Sequence, residues 1–424
     1  MNAVPRYLLP DTASVDGRGR LSVGGVDLLD LADEVGTPVF VYDEAHLRAR
    51  CREAVDAFGA GNVAYASKAF LCRAMAALAY EEGMHLDVAT GGELHVARAA
   101  GVPADHLVLH GNNKSLEELR RARDLGVRIV VDSFDELDRL ESLAAGAAPG
   151  PARVLVRVTP GVEAHTHEYV MTGQVDSKFG FGLATGDAAR AVERIRAAAG
   201  AMELVGVHAH IGSQIFLVRS FEKAVETLAD FVRPLDVDEL CLGGGLGVAY
   251  VDGEEAPTIT EWGETLHDAC RAAGITSRVT VEPGRAVVAA AAVTLYRVGT
   301  IKAIPGVRTY VSVDGGMSDN PRPVLYGSGY EAFLARATDA ERPRAVTVVG
   351  KHCESGDVVV RDACVPADLA VGDVLCTPVT GAYGHSMASN YNKVPRPPVV
   401  FVRDGEARVV VRRETFEDLL RLDQ

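Results

Sequence analysis

At 424 residues with 48% hydrophobic content, the chain can bury a large core and form two domains, while a formal charge of −15 and an isoelectric point near 5.3 argue against nucleic acid or an anionic membrane as partner. Seven cysteines (51, 72, 241, 270, 353, 364 and 376) are scattered, odd in number and without a CxxC pair, so no disulfide framework and no metal site is expected, and a reducing cytoplasm is the expected location. Met1 to Arg20 lacks an apolar signal core, and the longest apolar stretch, near Ala286 to Leu295, falls short of the roughly 20 residues a span needs, so no membrane association is expected.

Residues 1–36, with turn signals at Asp16-Gly17 and Gly24-Gly25, read as an arm packing with a later β domain. Thr37-Pro-Val-Phe-Val-Tyr42 reads as a strand, and Asp43 opens a helix with Leu47, Cys51, Ala54, Val55 and Phe58 on one face. A regular alternation begins at Asn62. Strand-like runs fall at Val63 to Lys68, His85 to Ala89, Leu107 to His110, Arg128 to Asp132, Val154 to Val158, Val205 to His210, Glu239 to Leu242 and Arg278 to Glu282. Most are separated by amphipathic segments. Ser115-Leu-Glu-Glu118 and Ser133-Phe-Asp-Glu136 are capping boxes, and Gly83, Gly101, Gly126 and Gly146 stand at helix ends. Eight βα units predict an α/β fold: a closed (β/α)8 TIM barrel over residues 37–292, with one long insertion from Gly161 to Gly186. From 293 to 424 short β-rich runs with Gly and Pro turns predict a C-terminal β domain, with strands at Thr309 to Asp314, Ala345 to Val349, Val358 to Arg361, Val399 to Val402 and Ala407 to Val411 and a last helix near Glu414 to Leu420.

In a barrel of this kind chemistry sits at the C-terminal strand ends, and polar residues collect there: Lys68, Asp87, His110, Asp132, Arg157, His208, His210, Gly243 to Gly245, Glu282 and Arg285. Lys68 shares a strand parity with Ala64 and Ala66. It reads either as a solvated strand-end lysine or as an amine able to form a Schiff base with an aldehyde. Leu242-Gly-Gly-Gly-Leu-Gly247 admits a phosphate or simply turns tightly, and it lacks the spacing of a dinucleotide fingerprint. Glu282-Pro-Gly-Arg285 pairs a carboxylate able to hold a pyridine nitrogen protonated with an anion-binding guanidinium, or is a surface ion pair around a turn. In His208-Ala-His210-Ile-Gly-Ser213 both imidazoles face one way. They suit a ring to be stacked, with Ser213 donating to a phosphate, or a histidine-containing core; no nearby carboxylate or cysteine completes a metal set.

Together with Tyr65-Ala-Ser-Lys68-Ala, Leu86-Asp-Val-Ala-Thr-Gly-Gly-Glu-Leu94, His110-Gly-Asn-Asn-Lys114, Cys353-Glu-Ser-Gly-Asp357 and Gly381-Ala-Tyr383, these segments resemble, in order from about Asp30 onward, the pyridoxal-phosphate-dependent decarboxylases of the alanine-racemase fold. The resemblance implies pyridoxal 5'-phosphate as cofactor and a head-to-tail homodimer with shared active sites. It makes Lys68 the Schiff-base lysine, His210 the stacking imidazole, Glu282 the partner of the pyridine nitrogen, and Ser213, Gly243, Gly244, Gly245, Gly284, Arg285 and Tyr383 the phosphate or adjacent contacts. It makes Cys353, otherwise readable as a core thiol, the proton donor reaching the partner's site.

The same resemblance assigns Arg285, Arg322, Tyr326, Glu354 and Tyr383 to the substrate, and two arginines with one acid suit a small amino acid whose far end carries both a carboxylate and an ammonium. The implied reaction is decarboxylation of meso-2,6-diaminopimelate to L-lysine and CO2. The alternatives are a relative acting on ornithine, arginine or a carrier-tethered glutamate, and a silent cofactor-binding homologue. Ser67 and His385 depart from the family's habit of an aliphatic residue and of a small or aromatic one.

Overall fold

The computed structural model describes residues 3–144, 150–161 and 176–424. It comprises two compact units, Arg50–Gly247 with Ala256–Ala286, and Met1–Ala49 with Val248–Glu255 and Val287–Gln424. The first is the barrel. Its eight parallel strands, Ala64–Ala66, His85–Val88, Leu107–Leu109, Arg128–Val131, Ala152–Thr159, Met202–Ala209, Glu239–Cys241 and Arg278–Thr280, neighbour one another in chain order. Val63 bridges Val281 in parallel, the Ala64 amide donates to the Val281 carbonyl at 2.9 Å, and the Ala66 amide to that of Pro283 at 3.1 Å, so the first and eighth strands close the ring.

Strands covered on both faces are mostly apolar, with charged residues confined largely to their ends, which is why the eight stood out as short strand-like runs. Val108, Val130, Leu155, Val205 and Cys241, from five strands, form a buried cluster. Toward the N-terminal ends of the strands Glu239 neutralises two arginines, Arg128 at 2.6 Å and Arg278 at 2.9 Å, and accepts the Thr280 hydroxyl at 2.8 Å. The helices lie against this ring through one face each. Arg219–Val232 buries Phe221, Val225, Leu228 and Val232, and Trp262 of Ile259–Ala272 packs its ring 5.5 Å from Phe221 and 5.2 Å from Phe58. Ser115 forms the expected capping box, whereas Glu136 returns its carboxylate to the Asp132 amide rather than to that of Ser133. Gly83, Gly101 and Gly126 adopt the positive φ expected past a helix end; Gly146 and residues 162–175 of the long insertion lie outside the described residues.

The second unit holds a mixed sheet in the order Val358–Val365, Arg344–Val349, Arg308–Val313, Ala292–Ile304, Val39–Asp43, Val399–Arg403, Glu406–Val411, with Val374–Pro378 and Phe333–Leu334 paired alongside. The strand expected at residues 37–42 therefore departs from the barrel range 37–292. Val39–Asp43 runs antiparallel to the strand starting at Ala292 and parallel to the one starting at Val399, and all five of its residues are buried. Flanked on both sides, it is as apolar as a barrel strand, so composition does not reveal which sheet it joins. The N-terminal arm is a three-stranded sheet tied to the same unit by hydrogen bonds from the Leu21 amide to the Ala335 carbonyl and from the Thr338 amide to the Gly19 carbonyl.

Candidate active site

The first barrel strand stops at Ala66 and the chain tightens into a 3-10 turn over Ser67–Ala69. Regular strand geometry, on which the shared parity of Ala64, Ala66 and Lys68 depended, ends there: Ser67 is buried, and Lys68 is exposed at the strand end. Lys68 acts on the strand ends electrostatically, opposing the rise that burial imposes on the Asp87 carboxyl and adding to the fall that burial imposes on the His210 imidazole.

Beside the first strand in the ring, Glu282 follows the eighth strand and is buried. His208 Nε2 hydrogen-bonds its Oε2 at 3.0 Å, and His110 Nε2 stands 2.9 Å from its Oε1 as a close ion pair rather than a well-aligned hydrogen bond. Burial favours the neutral acid, but these two imidazoles outweigh it and hold the Glu282 carboxyl well below the usual range. Burial likewise presses on His110, yet Asp87 and Glu282 win and raise it, whereas burial lowers His208 to about 4. Burial raises Asp87, whose Oδ1 lies 3.8 Å from His110 Nε2. Next along the ring, Arg157 lies 3.6 Å from Asp132 Oδ2 and 4.4 Å above the Phe179 ring.

The glycine turn after the seventh strand does more than the sequence suggested. The Gly244 amide donates to His210 Nδ1 at 3.2 Å, fixing that ring, and a Cβ on Gly243 would collide with the same nitrogen at 2.7 Å. A Cβ on Gly244 would stand 2.1 Å from the Glu282 carbonyl, one on Gly245 2.2 Å from the Gly212 carbonyl, and one on Gly284 2.9 Å from the Ala66 Cβ. These glycines let the first, sixth, seventh and eighth strand ends converge. Arg285 donates from Nη2 to Ser213 Oγ at 2.9 Å, bringing together the two side chains expected at a phosphate. Burial, with Lys68 and Arg157 close by, keeps His210 well below its usual value, so it is a neutral, flat ring.

The remaining candidates lie in the β unit. Arg322 is buried, donates to the Tyr330 hydroxyl at 2.6 Å and stacks 4.3 Å over Tyr250. Burial opposes its charge, but Tyr250, Tyr330 and Tyr383 keep its pKa above the ordinary arginine value. Tyr326 lies four residues on, half-buried, in the short helix Arg322–Tyr326. Tyr383 holds a left-handed φ of 58°, a conformation that costs a non-glycine residue about 1 kcal/mol or more. Cys353 is exposed, its amide donating to Asn392 Oδ1 at 3.3 Å, and Glu354 accepts a hydrogen bond from the Tyr391 hydroxyl.

Asp357 is the buried anchor of this loop. It accepts the His352 amide at 2.8 Å and the Met317 amide at 2.7 Å, tying the cysteine segment to the one leading to Arg322, and His352 Nε2 meets Ser318 Oγ at 2.8 Å. Sequence reasoning passed over Tyr250, Tyr330, Tyr391 and Asn392, which carry no motif, and gave Asp87, His110 and Asp357 no role although all three lie inside quoted segments.

The amine, the anion and the guanidinium–hydroxyl pair are what pyridoxal phosphate needs, and the converging glycines leave room that side chains would fill. A barrel so equipped, with a β domain attached, is a pyridoxal-phosphate enzyme of the alanine-racemase fold. Residues 44–289 match the family described as pyridoxal-dependent decarboxylase, pyridoxal binding domain. The chain is 47% identical to diaminopimelate decarboxylase of Mycobacterium tuberculosis, covering 98% of this chain and 97% of the relative, and 47% identical to that of Bacillus subtilis, covering 98% of each. It superposes on the crystal structure of diaminopimelate decarboxylase from M. jannaschii in complex with L-lysine with a TM-score of 0.89, at 32% identity and 98% coverage of both chains. The chain belongs to the diaminopimelate decarboxylase family.

Proposed function

We propose that the chain decarboxylates meso-2,6-diaminopimelate to L-lysine and CO2, the last step of lysine biosynthesis, in a cytoplasmic homodimer with shared active sites. The observation that carries this reading is the barrel-end set of Lys68, Glu282 and the Arg285–Ser213 pair in a chain of this family. Pyridoxal phosphate, when bound, supplies an aldehyde that links to amino groups and a ring that takes up the electron pair left as a carboxylate departs.

Lys68 offers the amine that holds the cofactor between turnovers, and its exposure leaves it open to exchange with the substrate amine. Glu282, anionic in spite of burial, secures a proton on the ring nitrogen. His210, neutral and pinned by the Gly244 amide, offers a flat face to the ring, while Arg285 and Ser213 offer donors to the phosphate. Arg322 binds the distal carboxylate, Glu354 the distal ammonium, and Tyr326 and Tyr383 line the substrate. As the bond to the α-carboxylate breaks and CO2 leaves, the Sγ–H of Cys353 from a second copy protonates the α-carbon, and the thiolate recovers its proton from solvent.

The test is complementation. Lys68→Ala should lose both the visible cofactor band and CO2 release, and Cys353→Ala should lose turnover while keeping the band. Mixing the two inactive proteins should restore activity through hybrid dimers. A mixture that stays inactive after subunit exchange has been confirmed rules out the shared site, and a Lys68→Ala protein that keeps its band rules out the lysine.

A further inference from the structure

Glu282 has more support than a partner for one ring nitrogen requires. Its two oxygens face two imidazoles contributed by different strands: His110 from just past the third and His208 from within the sixth. Both rings are buried and stand edge to face, with centroids 5.0 Å apart and planes at 69°. A carboxylate oxygen has two lone-pair directions, so one imidazole on each oxygen fixes the plane of the group and leaves one direction per oxygen for an incoming N–H. We propose that His110 and His208 are positioning residues for Glu282, a two-sided clamp that commits a buried carboxylate to the anion and aims it at the cofactor's ring nitrogen. The inference rests on the pyridoxal phosphate reading and deepens it.

The two arms differ. His110 has Asp87 behind it and Glu282 in front, and between two acids it is the cationic arm. Among the described residues His208 Nδ1 has no hydrogen-bond partner, so a second proton there would be buried and unsatisfied; it is the neutral arm, donating from Nε2. Among the described residues, Arg157, Lys68, His210, Glu93 and the Cys241 thiol, which Glu282 helps to raise, also act electrostatically on the clamp and on Asp87 behind it. Without His110, Glu282 would keep one neutral donor in a buried site, and burial would draw it toward the uncharged acid, which cannot hold a pyridinium proton. The same three residues place ligand atoms within 4.8 Å of one another, the spacing of a two-histidine, one-carboxylate metal set, so a divalent cation is the competing occupant.

The experiment uses full-length wild type and the variants His110→Phe, His110→Gln, His208→Gln, Glu282→Gln and His110→Phe/Glu282→Gln, each stripped of cofactor. Three quantities are read: the dissociation constant for pyridoxal phosphate by equilibrium dialysis, the pH titration of the visible band, and the melting temperature of the apo-protein. Loss of the buried cationic partner of one carboxylate oxygen predicts at least about tenfold weaker cofactor binding in His110→Phe and an acid limb of the band shifted to higher pH, with part of the binding restored in His110→Gln, whose amide can donate to the same oxygen. In the Glu282→Gln background the His110 substitution should change the constant by less than about twofold, because the anion it serves is gone.

An unchanged constant and titration in His110→Phe, with only the melting temperature lowered, would make the histidine structural and overturn the clamp. Equal His110 effects with and without Glu282 would overturn it as well. So would one zinc ion per apo-chain that pyridoxal phosphate does not displace. Wild type that binds no pyridoxal phosphate, or whose band survives in Lys68→Ala, refutes the underlying cofactor reading instead.

Discussion

Arg322 offers the sharpest test of substrate choice. Its guanidinium is buried, bonded to the Tyr330 hydroxyl at 2.6 Å and laid over Tyr250 at 4.3 Å, so its plane is set before any ligand arrives. A charge-assisted bond to a distal carboxylate is worth about 1.5–3 kcal/mol. Arg322→Ala should therefore lower kcat/KM for meso-diaminopimelate by roughly tenfold to a hundredfold, chiefly through KM, since the contact is made in ground and transition state alike. L-Lysine keeps the distal carboxylate after the other one has left, so product inhibition should weaken in parallel. Binding of 1,5-diaminopentane, which lacks that carboxylate, should stay within about twofold. Arg322→Lys should fall between, because an ammonium has neither the flat face nor the fork. The assay is CO2 release with each ligand as inhibitor, alongside circular dichroism to confirm folding. A folded Arg322→Ala protein with unchanged kcat/KM, or one that loses the diamine and lysine equally, would show that the guanidinium does not read the distal carboxylate.

Three further outcomes follow from the buried polar groups. Burial, with Arg396 nearby, lowers His385 to about 4. A histidine depressed in the folded state contributes stability that is full above pH 6.5 and lost as pH falls toward 4, here up to about 3 kcal/mol. His385→Phe, which preserves a ring beside Phe40, should flatten the decline of the urea midpoint between pH 6.5 and 4.5, and an unchanged slope would be evidence against this origin. Asp357→Asn can accept only one of the two amides now served, at a cost of about 1–3 kcal/mol, and should lower kcat far more than it raises KM while altering the rate at which iodoacetamide labels Cys353; equal labelling rates would remove Asp357 from the positioning of the thiol. Ser67 buries a hydroxyl that has no hydrogen-bond partner among the described residues, so Ser67→Ala should leave stability unchanged or raise it by about 1 kcal/mol, and a loss of that size would reveal a partner the hydroxyl serves.

The parts of the fold legible from sequence are those whose signal is local. Eight apolar runs ending in polar residues announced eight buried parallel strands, because a strand covered on both faces has no freedom to alternate. Val39–Asp43 carries the same local signal and joins the other sheet, since pairing with strands more than two hundred residues away leaves no trace in five apolar residues. Ala292–Ile304 escaped notice because the alanines at 289–292 lead straight into it and alanine has little strand preference, yet at 13 residues it pairs with Val39–Asp43, Arg308–Val313 and Val374–Pro378. The site divides in the same way. Lys68, Glu282 and Arg285 sit in short segments whose residue types name their chemistry. His110 and His208 became a clamp only when barrel closure brought the ends of the third, sixth and eighth strands to face one another, and Tyr250 became a wall for Arg322 only because eight residues, Val248–Glu255, leave the barrel sequence to join the β unit. A motif can therefore name the group that reacts, but the groups that fix its charge and direction are neighbours in space rather than in the chain, and substitutions at those positions are where measurements will be most informative.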